Sequence, residues 1–497
     1  MDDSRGVPRS RWRRRLGYGF LAVAALALAA LGGIVLLFAI QARLRLPDLR
    51  AWHRVRLEEE FRAGARGAPA DFDQYRKLED RLFAELRRKI LDDASAADPF
   101  LLGRFHPGSV PERLALDTVH NHSYELTPDQ PRGAVLLVHG LSDSPYSMRG
   151  IAQVFFMQGF DVVVLRLPGH GTIPGALREV SWQDWYAAVV LAARYTASRA
   201  GAGQPFFVAG HSTGSALLSL YAVRAAEDAS LPRPDRLFLV SPAIGISPFA
   251  VLTNIVAGLS FLPAFEKSQW IDVLPEYDPY KYNSFPVNAG NQIYALTHVL
   301  RKALLEAAER KALDRMPRFT VFQSLVDSTV SAPEVVNGLL ALLPGAGNEL
   351  VVFDLNRREE MQGLIAPGPS GALQRLRAAA SRPFRLTVVG NRAEGSAAMA
   401  LYVREAGPAA TEREEDLPLE WPRGVFSLGH VALPIPSDDP VYGLDPGEAD
   451  PRFQLGAFQA RGESGALLVP IGAFSRLRCN PFFSVIRDRI IATLQEK

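Results

Sequence analysis

The chain has a single cysteine, Cys479, in 497 residues, so an internal disulfide is excluded and no Cys-rich metal knuckle can form. Histidines number only nine, with no zinc-like spacing among them, and no glycine-rich loop of the phosphate-cradling kind is present; neither a metal nor an organic cofactor is implied. Internal repeats and low-complexity tracts are also missing. Strong charge of one sign is absent from the chain as a whole, whose formal net charge is +2. The basic excess sits at one end: residues 1–66 hold 13 Arg/Lys against 6 Asp/Glu, a net +7, which leaves −5 for the rest. Such a distribution suits anionic lipid headgroups and gives no case for nucleic acid. Arginine outnumbers lysine heavily, which points to a GC-rich bacterial genome. With 48% hydrophobic and 22% charged residues, the chain can bury a substantial core.

One long apolar run is present. Gly17 to Ile40 is uncharged and follows Arg9, Arg11, Arg13, Arg14 and Arg15. As a helix it would reach about 36 Å, enough to cross a hydrocarbon core of about 30 Å. A cleaved signal peptide is the competing reading, but its apolar core is usually about 7 to 15 residues, and no small-x-small cleavage site follows. The expected organisation is a basic leader (1–16), a transmembrane anchor (17–40), a juxtamembrane helical segment (41–115) and a catalytic domain (116–497). Six arginines before the anchor and five just after it nearly balance; a short basic leader favours a cytoplasmic N-terminus and a domain on the periplasmic or extracellular side.

Apolar positions at three- and four-residue steps between Trp52 and Ile90 predict an amphipathic helix packed on that domain. His120 and His122 share one face of an expected strand and are read as ordinary strand histidines. From Ala134 onward, short apolar runs alternate with helical patterns: Ala134–Val138, Asp161–Leu165, Phe206–Gly210, Arg236–Val240, Arg318–Val326, Leu350–Asp354 and Phe384–Val389. Runs apolar on both faces imply a parallel sheet covered by helices, an α/β fold. Ser181, with Asp184 three positions on, is expected to cap a helix through about Ala197. Residues 248–317 interrupt the alternation and are read as a lid insertion, with a second insertion at about 356–424 that ends in an acidic loop, Glu412 to Pro422.

The chemistry is concentrated at Gly210-His211-Ser212-Thr213-Gly214. An apolar strand ends there and a small-residue helix begins, so Ser212 stands at the apex of a tight turn flanked by glycines. A serine hydroxyl at neutral pH needs a base to take its proton and an acid to orient that base. Only His298 and His430 follow Ser212, and His298 lies inside the first insertion, which leaves His430. Asp327, just past the carboxyl end of an apolar strand, is the expected acid, with Asp354 as the alternative. The backbone N–H groups of Leu141 and Thr213 are the natural oxyanion donors. His139 and His211 are read as pocket-wall or hydrogen-bonding residues.

Val138-His-Gly-Leu-Ser-Asp-Ser-Pro145, Arg166-Leu-Pro-Gly-His-Gly-Thr172, Gly210-His-Ser-Thr-Gly214 and Asp327-Ser-Thr-Val330 together resemble the α/β-hydrolases of the lysophospholipase, monoacylglycerol lipase and serine aminopeptidase-like group. That resemblance covers about residues 130–335. It implies Ser212, Asp327 and His430 as nucleophile, acid and base, a carboxylic ester substrate of lipid-like character, and an acyl-Ser212 intermediate. It departs from the family pattern in two respects: about seventy residues separate Asp354 from His430, where the family's histidine follows its last strand closely, and the anchor and the first hundred residues lie outside the match. An amidase or aminopeptidase, and an inactive scaffold of the same fold, are the competing readings.

Overall fold

The computed structural model describes residues 46–496 apart from 118, 246–262, 328, 346, 359–364, 366, 379–381, 409, 447–452, 457 and 460–474, together with scattered positions before 46. The anchor expected at 17–40 lies largely outside the described residues, among which no helix is long and apolar enough to cross a membrane.

Among the described residues are fifteen strands: β1 Tyr124–Leu126, β2 Ala134–Val138, β3 Asp161–Leu165, β4 Phe206–His211, β5 Arg236–Val240, β6 Trp270–Asp272, β7 Phe285–Pro286, β8 Arg318–Ser324, β9 Asn348–Phe353, β10 Phe384–Asn391, β11 Ala398–Arg404, β12 Glu412–Glu420, β13 Val425–Leu428, β14 Phe458–Gln459 and β15 Ser475–Leu477. Ten of them form one sheet in the order β1-β3-β2-β4-β5-β8-β9-β10-β11-β12. The centre, β3 to β10, is parallel throughout, and β1, β11 and β12 run antiparallel at the edges.

Strand periodicity divides the core in two. Leu136, Val138, Val163 and Leu165 point to one side with the helices Trp182–Arg199, Thr213–Glu227 and Val287–Glu309. Val135, Leu137, Val162 and Val164 point to the other, where Arg149–Met157 and Phe483–Gln495 pack. Burial on both faces is why these strands read as unbroken apolar runs. The helix after Ser181 has the expected cap: Asp184 N–H donates to Ser181 Oγ, and Ser181 N–H donates to the Asp184 carboxylate.

Several sequence-based expectations are corrected. Trp52 to Ile90 is not one helix; a short turn at Ala51–Arg54 and irregular chain precede the helix Phe72–Leu86, which ends in a π-turn through Leu91. Two separate apolar segments had fallen in register. His120 sits in a 3₁₀ turn, Val119–Asn121, and not on a strand. The two imidazoles diverge, His122 stacking on Phe83 and His120 meeting Tyr124 and Tyr146 edge-on. The stretch assigned to a lid, 248–317, contains a core helix: Val287–Glu309 buries Ile293, Leu296, Leu300 and Leu304 on the sheet side. Its Phe249–Phe265 portion falls mainly outside the described residues. The second insertion, 356–424, is likewise part of the sheet, since β10, β11 and β12 extend it, and the acidic loop Glu412–Pro422 is mostly the edge strand β12. Exposed on most of its length, that strand carries no apolar run to reveal it.

Candidate active site

The strand order reverses between β2 and β4, and in an open α/β sheet the crevice at the carboxyl ends of such a pair is where ligands bind. β2 ends in His139-Gly140 and β4 in His211-Ser212. Ser212 has φ 52° and ψ −113°, a conformation that L-residues avoid. It is held there by its own backbone: Ser212 N–H donates to Val240 O at 2.9 Å, and Ser212 O accepts from Ala216 N–H and Ala243 N–H, both at 3.2 Å. Strain that the surroundings over-determine in this way is characteristic of functional turns.

The flanking glycines are required by contact. A Cβ at Gly214 would lie 2.1 Å from Val138 O, and one at Gly210 would lie 2.6 Å from Ser215 N. Side chains at either position would push the helix Thr213–Glu227 off the strands and move the serine. At Gly140 a Cβ would come within 3.1 Å of Ser212 Cβ, so the loop after β2 passes directly beside the serine. Thr213 opens its helix, and first-turn N–H groups have no partner within the helix. The peptide groups of Leu141 and Thr213 thus border the same space.

His139 braces this loop. Its Nδ1 is 2.8 Å from Gly140 O, and its Nε2 accepts the Leu167 N–H at 3.0 Å, which defines a neutral tautomer with the proton on Nδ1. Burial pushes its pKa down to about 4, consistent with that neutral ring. The loop 166–172 is anchored by a fully buried ion-pair cluster, in which Arg166 bonds Glu79 at 2.7 Å and Glu60 at 3.0 Å and donates to His170 O.

Asp327 and His430 come together. His430 Nδ1 is 2.7 Å from Asp327 Oδ2, and the other carboxylate oxygen accepts the N–H groups of Thr329 and Val330 at 2.9 Å. Burial opposes the charged form of both groups. The charge and hydrogen bond of the partner outweigh it, so the carboxyl of Asp327 is held below its ordinary pKa and the imidazole of His430 above. Asp354 is engaged elsewhere, by Arg357 at 2.6 Å.

The seventy-residue gap before His430 has a structural reason. The intervening chain builds β10 to β12 and then returns as β13, where Phe426 O accepts Asn356 N–H and Val425 O accepts Asn356 Nδ2–H, just past the end of β9. The histidine therefore arrives beside the last-but-outer strands although it lies far along the sequence.

His211 borders this pair. Its ring centroid is 5.1 Å from that of His430, and its Nε2 is 3.3 Å from His430 O. Two residues that sequence reasoning missed complete the surroundings. Asp143 lies 3.3 Å from His211 Nδ1 and 2.6 Å from Lys281 Nζ. Despite burial, Lys281 and His211 hold its carboxyl well below the usual range. Lys281 comes from the loop 277–282, which also donates Tyr282 N–H to Ser142 O. Only the Ser-Asp-Ser sequence after His139-Gly140 hinted at a polar group here.

Among the described residues no cluster of His, Cys, Asp and Glu could hold a metal ion.

A strained serine turn at the switch point of a mostly parallel sheet, with a His–Asp pair at neighbouring strand ends, defines an α/β-hydrolase fold. Residues 129–298 match the family described as serine aminopeptidase, S33. The chain is 37% identical over 83 residues to a thermostable monoacylglycerol lipase of Bacillus sp. (strain H-257), covering 17% of this chain and 32% of that one, about a third of the relative's length. Similar solved structures include one from a study of LipS and LipT, two metagenome-derived lipolytic enzymes (23% identity, 47% of this chain and 87% of that chain, TM-score 0.38). Another is the monoacylglycerol lipase of Paleococcus ferrophilus (18% identity, 47% of this chain and 88% of that chain, TM-score 0.34).

Proposed function

We propose that this protein is a serine hydrolase that cleaves carboxylic esters of lipid-like character. In this reading Ser212 attacks the ester carbonyl, His430 takes the serine proton and returns it to the leaving alcohol, and Asp327 fixes the imidazole with Nδ1–H toward its carboxylate. The N–H groups of Leu141 and Thr213 receive the oxyanion. An acyl-Ser212 intermediate is then released by water. The observation that carries the proposal is the 2.7 Å His430–Asp327 contact beside a serine held at φ 52°.

The likeness to a monoacylglycerol lipase supports a monoacylglycerol-like ester over a peptide. Asp143, the carboxylate nearest His211, is already paired with Lys281 and so is ill suited to a peptide's protonated amine. The apolar segment 17–40 is proposed as a membrane tether, with the catalytic domain on the non-cytoplasmic side; protease protection in sealed membranes tests that topology.

The deciding experiment is labelling with a fluorophosphonate probe. The wild-type chain is expected to be labelled and Ser212→Ala unlabelled. Labelling that persists in Ser212→Ala, or cleavage of aminoacyl amides with no turnover of any ester across a chain-length series, would overturn the assignment.

A further inference from the structure

Three titratable side chains adjoin the His430–Asp327 pair and have no part in the steps proposed above: His211 at the end of β4, Asp143 in the loop after β2, and Lys281 in the loop 277–282. Asp143 and His211 meet beside Gly140. A Cβ on that glycine would lie 3.0 Å from Asp143 Oδ2, 3.0 Å from His211 Nδ1 and 3.1 Å from Ser212 Cβ, so the cluster adjoins the serine turn.

Lys281 Nζ bonds Asp143 Oδ1 at 2.6 Å, and Asp143 Oδ2 lies 3.3 Å from His211 Nδ1. On the other edge of the ring, His211 Nε2 is 3.3 Å from His430 O. The imidazole is thus bracketed by two acceptors, and in its neutral form it has one N–H to give. Burial holds the pKa of His211 down against the pull of Asp143, so the neutral form applies. Only the Nε2 contact has hydrogen-bond geometry, and a carbonyl can only accept, so the proton belongs on Nε2 and is donated to His430 O. The bare Nδ1 then faces the Asp143 carboxylate, whose charge Lys281 offsets.

We infer that His211, Asp143 and Lys281 are positioning residues for the proposed reaction: His211 pins the backbone of His430 beside the serine turn, and the Asp143–Lys281 pair supplies the charge balance in which that imidazole works. The inference rests on the serine-hydrolase reading and extends it beyond nucleophile, base and acid. The groups that face His430 are Asp327, His211, Asp143 and Lys281. Burial and Lys281 oppose its charged form, while Asp327 and Asp143 favour it. Removing one or the other member of the ion pair should therefore push the imidazole in opposite directions, which a loss of packing alone would not do.

The test reads the rate of labelling by a neutral fluorophosphonate against pH, on the full chain; in the proposed mechanism labelling requires a neutral His430 and no identified substrate. Asp143→Asn is expected to move the acidic limb to lower pH and Lys281→Gln to higher pH, with Asp143→Asn/Lys281→Gln returning it toward wild type. If Lys281→Gln does not fold, Asp143→Asn against the double variant carries the same comparison, the double variant lying at higher pH. His211→Leu, which lacks the donor to His430 O, should lower the plateau rate by about tenfold to a hundredfold. His211→Gln keeps an amide N–H and should recover part of it. Limbs that stay in place or move the same way in both single variants, or a wild-type plateau rate in His211→Leu, would overturn the inference, while labelling at Ser212 would still uphold the hydrolase reading. Titration of the His430 ring by NMR with ring-labelled histidine, its signal assigned by its loss in His430→Gln, is independent of the chemistry. Its midpoint should fall in Asp143→Asn and rise in Lys281→Gln even if no labelling occurs, and indifference to both counts against the inference.

Discussion

His430 Nδ1 and Asp327 Oδ2 lie 2.7 Å apart although 103 positions separate the two residues. Both are buried, so the pair interacts where solvent screens little, and each partner favours the ionised form of the other. The direction of these shifts carries kinetic consequences.

In the proposed mechanism His430 acts as general base only when neutral, and its pKa is raised above the ordinary value of about 6.5. The acidic limb of a kcat/KM profile on a neutral ester should therefore have its midpoint above about pH 6.5. Replacing Asp327 by Asn removes the charge that raises it, and the limb should move to lower pH. The same variant should lower kcat by about 10⁴-fold, because Asn can stabilise the wrong tautomer. A limb that does not move in Asp327→Asn would show that another group holds the histidine.

The pair also links stability to pH. Asp327, with a depressed pKa, contributes above its unfolded value of about 3.9 and loses that contribution as pH falls through its folded value. His430, with a raised pKa, contributes fully below about 6.5 and loses it as pH rises through its folded value. The advantage of wild type over Asp327→Asn in thermal midpoint should thus peak between about pH 4 and 6.5 and shrink on either side. A constant difference across pH would contradict the coupling.

The cluster of Arg166 with Glu60 and Glu79 predicts a large effect away from the chemistry. Removing Arg166 leaves two buried carboxylates without their counter-charge, so Arg166→Ala should lose about 3–5 kcal/mol in urea unfolding. By contrast Glu306→Ala, whose partners Lys302 and Arg310 are exposed, should stay within about 1 kcal/mol of wild type. Comparable losses in the two variants would mean that the buried cluster is not the anchor of loop 166–172.

What the sequence disclosed follows from where each segment is buried. β2 to β5, β8 and β9 are covered on both faces and appear as apolar runs; Ser212 is legible because its turn imposes glycines on both sides. β12 was hidden because an edge strand rich in Glu looks like a loop. Val287–Glu309 was hidden because it follows the irregular stretch that suggested an insertion. His430 and Asp327 could be named by elimination and by position after a strand. Asp143 and Lys281 could not, since their meeting depends on loops whose path no local pattern encodes. Nor could the detour through β10 to β12, which replaces the short step from strand to histidine.

The glycine requirement can be tested with one methyl group. Gly214 sits where the helix Thr213–Glu227 meets β2, and a Cβ there would overlap Val138 O at 2.1 Å, a backbone atom that no rotamer change can move away. The helix would have to shift outward, and overpacking of this kind costs about 1–3 kcal/mol. The displacement would be felt first at Ser212 and at the N–H of Thr213, the adjoining residues, so Gly214→Ala should lose far more activity than its stability loss accounts for. Gly203→Ala is the control. Gly203, unlike Gly214, has positive φ, with nothing within 4 Å of its would-be Cβ. It should show modest backbone strain, a lowered thermal midpoint and unchanged probe labelling at temperatures where it remains folded. If Gly214→Ala were labelled by the probe at the wild-type rate, the close approach of helix to strand would not be what presents the serine.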